Sequence, residues 1–239
     1  MQYDLICRAL AVNGISYPEY LPHKLEIYLR LLLDWNSRMD LTAIPDDVEI
    51  LNRHFLDSLS VLRTGMIAQD SCLIDVGTGA GFPGMVLAMA RPDLQVTLMD
   101  AQQKRLNFLD AVRKDADVCN TELIHARAED GGRDPRYRER FDYAVARALA
   151  PMNILCEYLL PFVRIGGYAL CWKGPALQEE LETGKKAAEL LGGRIVDPVA
   201  CDIAGRDWEH RIQPVLKTRK TAAVYPRKAG IPKSKPLGV

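Results

Sequence analysis

The chain has 239 residues and a mass of 26.7 kDa, and its 48% hydrophobic residues suffice for the core of one α/β domain with an appendage. Its 31 Lys and Arg balance 31 Asp and Glu, and no apolar run approaches the ~20 residues that span a bilayer. The six cysteines (Cys7, Cys72, Cys119, Cys156, Cys171, Cys201) form no CxxC pair, the four histidines (His23, His54, His125, His210) are too scattered for a metal cluster, and no signal peptide is visible, so the expectation is a cytoplasmic, metal-free protein without disulfides.

In chain order, residues 3–64 read as helices with no strand between them. Leu25, Tyr28, Leu29, Leu32, Trp35 and Met39 recur every three or four positions, marking the apolar face of a helix that begins after Pro22. Asp46 and Glu49 make a capping box, and Val48, Leu51, Phe55, Leu59 and Leu62 form the buried stripe of a second helix. At α-helical spacing His54 and Ser58 flank that stripe, while Arg53 and Asp57 point away and can pair at i,i+4.

Residues 72–84 read as a short strand, a glycine-rich turn and the start of a helix at 85–90, with Pro83 suited to the first turn. Gly77, Gly79, Gly81 and Gly84 cost backbone entropy unless the chain needs positive φ or a ligand pressed against bare backbone. A second strand, 96–100, ends in Asp100, a carboxylate placed to accept the hydroxyls of a ribose. Two registers stay open: Gly77-x-Gly79-x-Gly81, the turn of S-adenosylmethionine methyltransferases, and Gly79-x-Gly81-x-x-Gly84, the fingerprint of nicotinamide-dependent oxidoreductases.

A helix follows at 102–115, with Lys104 and Arg105 opposing the dipole in its first turn, which a nearby anion would explain. Strands at 121–126 and 141–148 bracket Ala128-Glu129 and a polar insertion, 130–140, that reads as a surface loop. Then come a helix at 152–163, a Gly166-Gly167 turn, a strand at 168–172 and a helix at 176–191 closed by Gly192-Gly193. The last two strands, 194–201 and 211–218, lie too close in sequence for a helical crossover and must be antiparallel. Five parallel strands closed by such a pair form the methyltransferase topology, which favours S-adenosylmethionine over the nicotinamide alternative. From Arg211 onward there are eight Lys or Arg and no acid, a basic terminus suited to a polyanion partner.

Ligands of open α/β sheets bind outside the carboxyl ends of the strands, so the chemistry belongs to Arg147 and Lys173. The Asp/Asn-Pro-Pro-aromatic motif of exocyclic-amine methylases is absent, and Cys171 falls inside its strand rather than at a nucleophile's position. Guanine N7 is an acceptor that needs no base, because its lone pair carries no proton. Alignment and electrostatic control by Arg147, then Lys173, would suffice.

Beyond these arguments, the chain resembles the bacterial 16S ribosomal RNA guanine-N7 methyltransferases over nearly its whole length. The resemblance rests on Trp35-Asn36, Leu41-Thr42, Arg53-His54-x-x-Asp57-Ser58, the run from Asp75 to Gly84, Lys104-Arg105, Arg127-Ala128-Glu129, Ala146-Arg147-Ala148, Lys173-Gly174 and Tyr225-Pro226-Arg227-Lys228-x-Gly230-x-Pro232. It implies a Rossmann-like methyltransferase fold with a seven-stranded, mostly parallel sheet whose last strand is antiparallel. Residues 1–68 would be a helical extension, 69–220 the S-adenosylmethionine-binding core and 221–239 a basic tail. It also implies methylation of guanine 527 in the decoding-region loop of 16S RNA, within the small subunit, by a monomer that binds no membrane. Gly77, Phe82, Ala128, Glu129 and Arg147 would contact S-adenosylmethionine, joined by Gly79 and Asp100 on the turn argument. Lys104, Arg105, Arg227 and Lys228 are the expected RNA contacts.

Overall fold

A computed structural model of the chain describes residues 2–239. Helices α1 (Gln2–Val12) and α2 (Leu21–Asn36) come first, and α2 buries Leu25, Tyr28, Leu29 and Leu32 as the periodicity predicts. It stops before Met39 because the Asn36 side-chain oxygen accepts the N–H groups of Leu41 and Thr42, each at 2.9 Å, and draws the chain away from the helix.

A helical run of changing pitch follows: α3 (Asp47–Ile50), a π-helical segment (Leu51–Leu56), α4 (Asp57–Leu59) and a 3-10 turn (Ser60–Thr64). Asp46 caps it by accepting the Glu49 N–H at 2.9 Å. The π turn closes i to i+5 and so rotates every later position away from its α-helical direction. Asp57, expected to face outward, is 2% exposed; Arg53 pairs with Glu49 at 2.8 Å, and the expected Arg53–Asp57 pair does not form.

The alternating region supplies β1 (Cys72–Val76), α5 (Gly84–Ala90), β2 (Gln95–Asp100), α6 (Gln103–Asp115), β3 (Thr121–His125), α7 (Ala128–Gly131), β4 (Phe141–Arg147), α8 (Met152–Leu159), β5 (Val163–Lys173), α9 (Leu177–Leu191), β6 (Gly193–Ile195), β7 (Val199–Ala200), β8 (Arg211–Lys217) and α10 (Ile231–Ser234). The sheet runs β3-β2-β1-β4-β5-β8-β6, with β7 also on β8. Strands β1 to β5 are parallel, and β8 is antiparallel to β5, β6 and β7. The sheet is thus Rossmann-like with seven positions. Its expected edge strand at 194–201 is split into β6 and β7 around Asp197-Pro198, as proline cannot donate to a ladder.

Two further expectations change. Gly166-Gly167 is not a turn before the strand but an irregularity inside β5, where pairing jumps from Phe141–Val163 to Tyr143–Tyr168; Gly166 takes φ 87° there. The insertion at 130–140 is no free loop either. Arg138 donates to the carbonyls of Thr221 at 2.7 Å and Tyr225 at 2.8 Å, tying the segment beyond β8 to the body.

Alternation along the strands fills both faces. Leu73, Val145 and Leu170 pack towards the N-terminal helices, α5 and α6, while Ile74, Ala144 and Cys171 pack towards α8 and α9. The carboxyl ends of β1, β2, β4 and β5 therefore open at one edge, beside the π-helical segment.

Candidate active site

The turn between β1 and α5 is held by backbone geometry. Gly77, Gly79 and Gly81 adopt φ of 69°, 59° and 96°, angles that side chains disfavour. Gly84 serves packing instead: a Cβ there would lie 2.7 Å from the Asp75 Cβ, and its N–H donates to Asp75 Oδ2 at 2.8 Å. The positive-φ glycines are those of the Gly77-x-Gly79-x-Gly81 register. Asp75 also accepts the Thr78 hydroxyl at 2.7 Å, and burial raises its pKa to about 6.

At the end of β2, Asp100 accepts the Gly79 N–H at 2.9 Å through Oδ2 and the Gln102 N–H at 2.8 Å through Oδ1, while Arg105 reaches Oδ2 at 3.4 Å. A carboxylate has about four acceptor sites, so room remains for a ribose hydroxyl. On the far side of the turn the Tyr28 hydroxyl donates to the Ala80 carbonyl. Its ring stacks on Phe82, with centroids 5.3 Å apart, and His54 covers the same ring at 4.5 Å. Leu149, from the loop after β4, approaches the Cα of Gly77 so closely that a Cβ would meet its Cδ1 at 2.8 Å.

A cavity of about 330 Å³ lies next to this turn, bounded by Ile44, Arg53, His54, Asp57, Arg147, Trp172, Lys173 and His210 among others. Charge organises it. Asp57 Oδ2 accepts Arg147 Nη1 at 3.0 Å, its Oδ1 accepts His210 Nδ1 at 3.0 Å, and its carbonyl accepts Trp172 Nε1 at 3.0 Å. Arg147 also donates to the Arg53 carbonyl at 2.7 Å and to His54 Nδ1 at 2.9 Å, and sits 5.1 Å over the Phe82 ring. A guanidinium can only donate, so His54 carries its proton on Nε2, which faces the Thr42 hydroxyl at 2.8 Å. Burial, then the Arg147 charge, hold His54 neutral with its pKa lowered to about 3. Lys173 pairs with Glu180 at 2.6 Å and reaches the Ala150 carbonyl at 3.3 Å. Between Arg147 and Leu149, Ala148 takes φ 53°, a strained angle for a residue with a Cβ.

The structure thus brings together Arg147, Lys173 and Phe82 of the expected set, beside Gly77, Gly79 and Asp100. Ala128 and Glu129 open α7 just beyond β3, and between the two the Ala126 N–H donates to the Asp100 carbonyl at 3.2 Å. Lys104 and Lys228 are exposed, whereas Arg105 turns towards Asp100 and Arg227 turns inward onto Glu157 at 2.6 Å. Asp57, Thr42, Trp172 and His210 were not singled out for the site from sequence. Only the resemblance motifs Leu41-Thr42 and Arg53-His54-x-x-Asp57-Ser58 pointed to this wall. Cys171 is buried in β5 with its thiol pKa pushed up to about 12, which leaves it no nucleophilic part. Among the described residues no group of three or more His, Cys, Asp or Glu could hold a metal, and no helix is long and apolar enough to cross a membrane.

Comparison with known proteins places the chain in a family. The sequence model of the family described as rRNA small subunit methyltransferase G matches residues 22–206. The chain belongs to that family. It is 44% identical over 210 residues to the ribosomal RNA small subunit methyltransferase G of Alkaliphilus oremlandii, covering 88% of each chain. Its counterpart of the same name in Clostridium botulinum strain Alaska E43 is 41% identical over 235 residues, 98% of each. Among solved structures, a SAM-dependent methyltransferase from Aquifex aeolicus superposes with a TM-score of 0.52 at 19% identity, covering 72% of this chain and 94% of the other. The Methanococcus jannaschii fibrillarin pre-rRNA processing protein gives 0.52 at 19%, covering 67% and 74%. These two share the fold.

Proposed function

We propose that this protein transfers a methyl group from S-adenosylmethionine to N7 of a guanine in 16S ribosomal RNA, guanine 527 of the decoding-region loop, acting as a cytoplasmic monomer on the small subunit. The observation that carries this reading is a pocket rich in cations beside the glycine turn, in which Asp57 and His54 are already engaged. Asp57 spends both oxygens on Arg147 and His210, Glu180 holds Lys173, and the free lone pair of His54 accepts from Arg147. A reaction requiring proton removal would have to use Nε2 of His210, whose Nδ1 is held by Asp57. Guanine N7 requires no such base.

When bound, S-adenosylmethionine supplies an electrophilic methyl on a sulfonium. Gly77 and Gly79 offer it bare backbone, Asp100 the ribose acceptor, and Ala128 and Glu129 the neighbouring wall. Arg147 uses three of its five N–H donors on Asp57, His54 and the Arg53 carbonyl, which keeps two for the purine O6 or an adjoining phosphate. Lys173 adds a second cation at the same mouth. The chain's contribution is alignment and charge placement, which can supply several kcal/mol of barrier lowering without acid–base chemistry. Exposed Lys104 and Lys228 fit phosphate contacts, with affinity falling as salt rises.

The test is transfer of labelled methyl from S-adenosylmethionine to small subunits from cells lacking this protein, with chain scission at N7-methylguanine locating the base. Label at guanine 527 is expected. RNA left unlabelled would end the proposal, and label at another atom would move it.

A further inference from the structure

The basic segment beyond β8 is built into the cofactor's side of the molecule. Arg227 donates to Glu157 of α8 three times: Nε to Oε1 at 2.9 Å, Nη2 to Oε2 at 2.6 Å and its backbone N–H to Oε1 at 2.8 Å. Glu157 is 1% exposed and Arg227 22%, so the pair is a forked one anchored on a buried carboxylate. Three residues on, the Gly230 N–H donates to Oε1 of the buried Glu129 at 2.9 Å. Arg133 then holds the Pro226 carbonyl at 2.6 Å, and Gly132 approaches Pro226 so closely that a Cβ would lie 3.0 Å from its ring. The Gly230 bond thus falls on α7, the Pro226 contacts on the two residues that follow it, and the Arg227 bonds on α8.

Helix α7 stands beside Asp100, the ribose acceptor of the proposed reading, where the base attached to that ribose would lie. It follows β3, which pairs with β2 so that His125 lies beside Asp100, and Gly131 packs so tightly on Met99 that a Cβ would fall 2.6 Å from the Met99 Cε. With four residues it cannot hold its own position and depends on what surrounds it.

We propose that Arg227 is a positioning residue for the base end of the S-adenosylmethionine site: through Glu157 it anchors the C-terminal segment whose Gly230 fixes Glu129 and α7. This rests on the methyl-donor reading of the glycine turn and replaces the expectation that Arg227 contacts RNA. Without the anchor, α7 occupies its binding position only part of the time, and affinity falls by that fraction.

The experiment is calorimetric titration of the full chain with S-adenosylhomocysteine and with 5′-methylthioadenosine, which keeps base and ribose but lacks the amino-acid end. Arg227→Ala and Glu157→Gln should each weaken both ligands by the same factor, on the order of tenfold for a wall that is ordered a tenth of the time. Arg227→Lys should recover much of the loss, Lys233→Ala should show none, and small-subunit binding by Arg227→Ala without cofactor should match the unmutated protein. Unchanged S-adenosylhomocysteine affinity in Arg227→Ala, or a loss confined to the ligand with the amino-acid end, overturns the proposal. Should Arg227→Ala not fold, Glu157→Gln and Arg227→Lys decide by the same readings. Failure of the unmutated protein to bind S-adenosylhomocysteine would instead sink the methyl-donor reading beneath it.

Discussion

The two halves of the site are held by different forces. Around Gly77, Gly79 and Gly81 the grip is backbone: positive φ, N–H groups aimed at Asp100 and Asp75, and neighbours that close in where no Cβ exists. Around Asp57 the grip is charge, one buried carboxylate holding an arginine and a histidine 90 and 153 residues away in sequence. The turn should therefore fail when a side chain is added. The pocket should tolerate changes of volume and fail when a charge is lost.

The largest effect expected from this contrast is at Asp57. Asp57→Ala leaves Arg147 without its buried counter-charge, which costs roughly 3–5 kcal/mol of stability. An arginine shifted by an ångström lowers turnover by about 10²-fold. Urea unfolding and methyl-transfer rates measure the two losses, and near-normal values of both would show that charge does not hold the pocket. Gly77→Val comes next. A β-branched residue at φ 69°, pressed on Leu149, carries roughly 1–3 kcal/mol of strain. Cofactor affinity should drop about ten- to a hundredfold, with a smaller move in the urea midpoint than for Asp57→Ala. Normal calorimetric affinity would break the backbone half of the comparison.

The smallest effect is the pH dependence. His54 titrates near 6.5 when unfolded and at about 3 when folded, because of its burial and then Arg147. The unfolded state thus binds about one more proton at this site between those values, so the stability His54 contributes is complete above pH 6.5 and drains away as pH falls towards 3. Asp75 acts oppositely: its raised folded pKa of about 6 against 3.8 adds stability as pH falls through that window. His54→Gln removes the first contribution alone. Its urea midpoint should gain on the unmutated protein as pH drops from 7 to 4.5, and parallel curves would mean that His54 is not the neutral partner of Arg147.

What could be read from the sequence was whatever lies close together along the chain. The turn, its carboxylate and the βα repeat sit within some thirty residues, where spacing alone limits geometry. The antiparallel closure was legible because its connection was too short for anything else. Asp57 was misjudged because a single π turn, which no residue pattern announces, rotates it inward. His210 reaches the Asp57 carboxylate, and Trp172 the Asp57 carbonyl, only through the sheet's order. The C-terminal cations looked like a nucleic-acid arm by composition, yet composition carries no sign of the buried Glu157 that claims Arg227.

Tyr28 has a consequence for the molecule's history and handling. Its phenol reaches from the N-terminal layer to a backbone oxygen inside the glycine turn, so the layer is a structural part of that turn. A sheet core produced by itself would carry that oxygen stripped of its donor and the Phe82 ring bare to water. Such a fragment should regain its ligand only when the missing helices are supplied in trans. Any exchange of this layer between relatives would have to bring its tyrosine along.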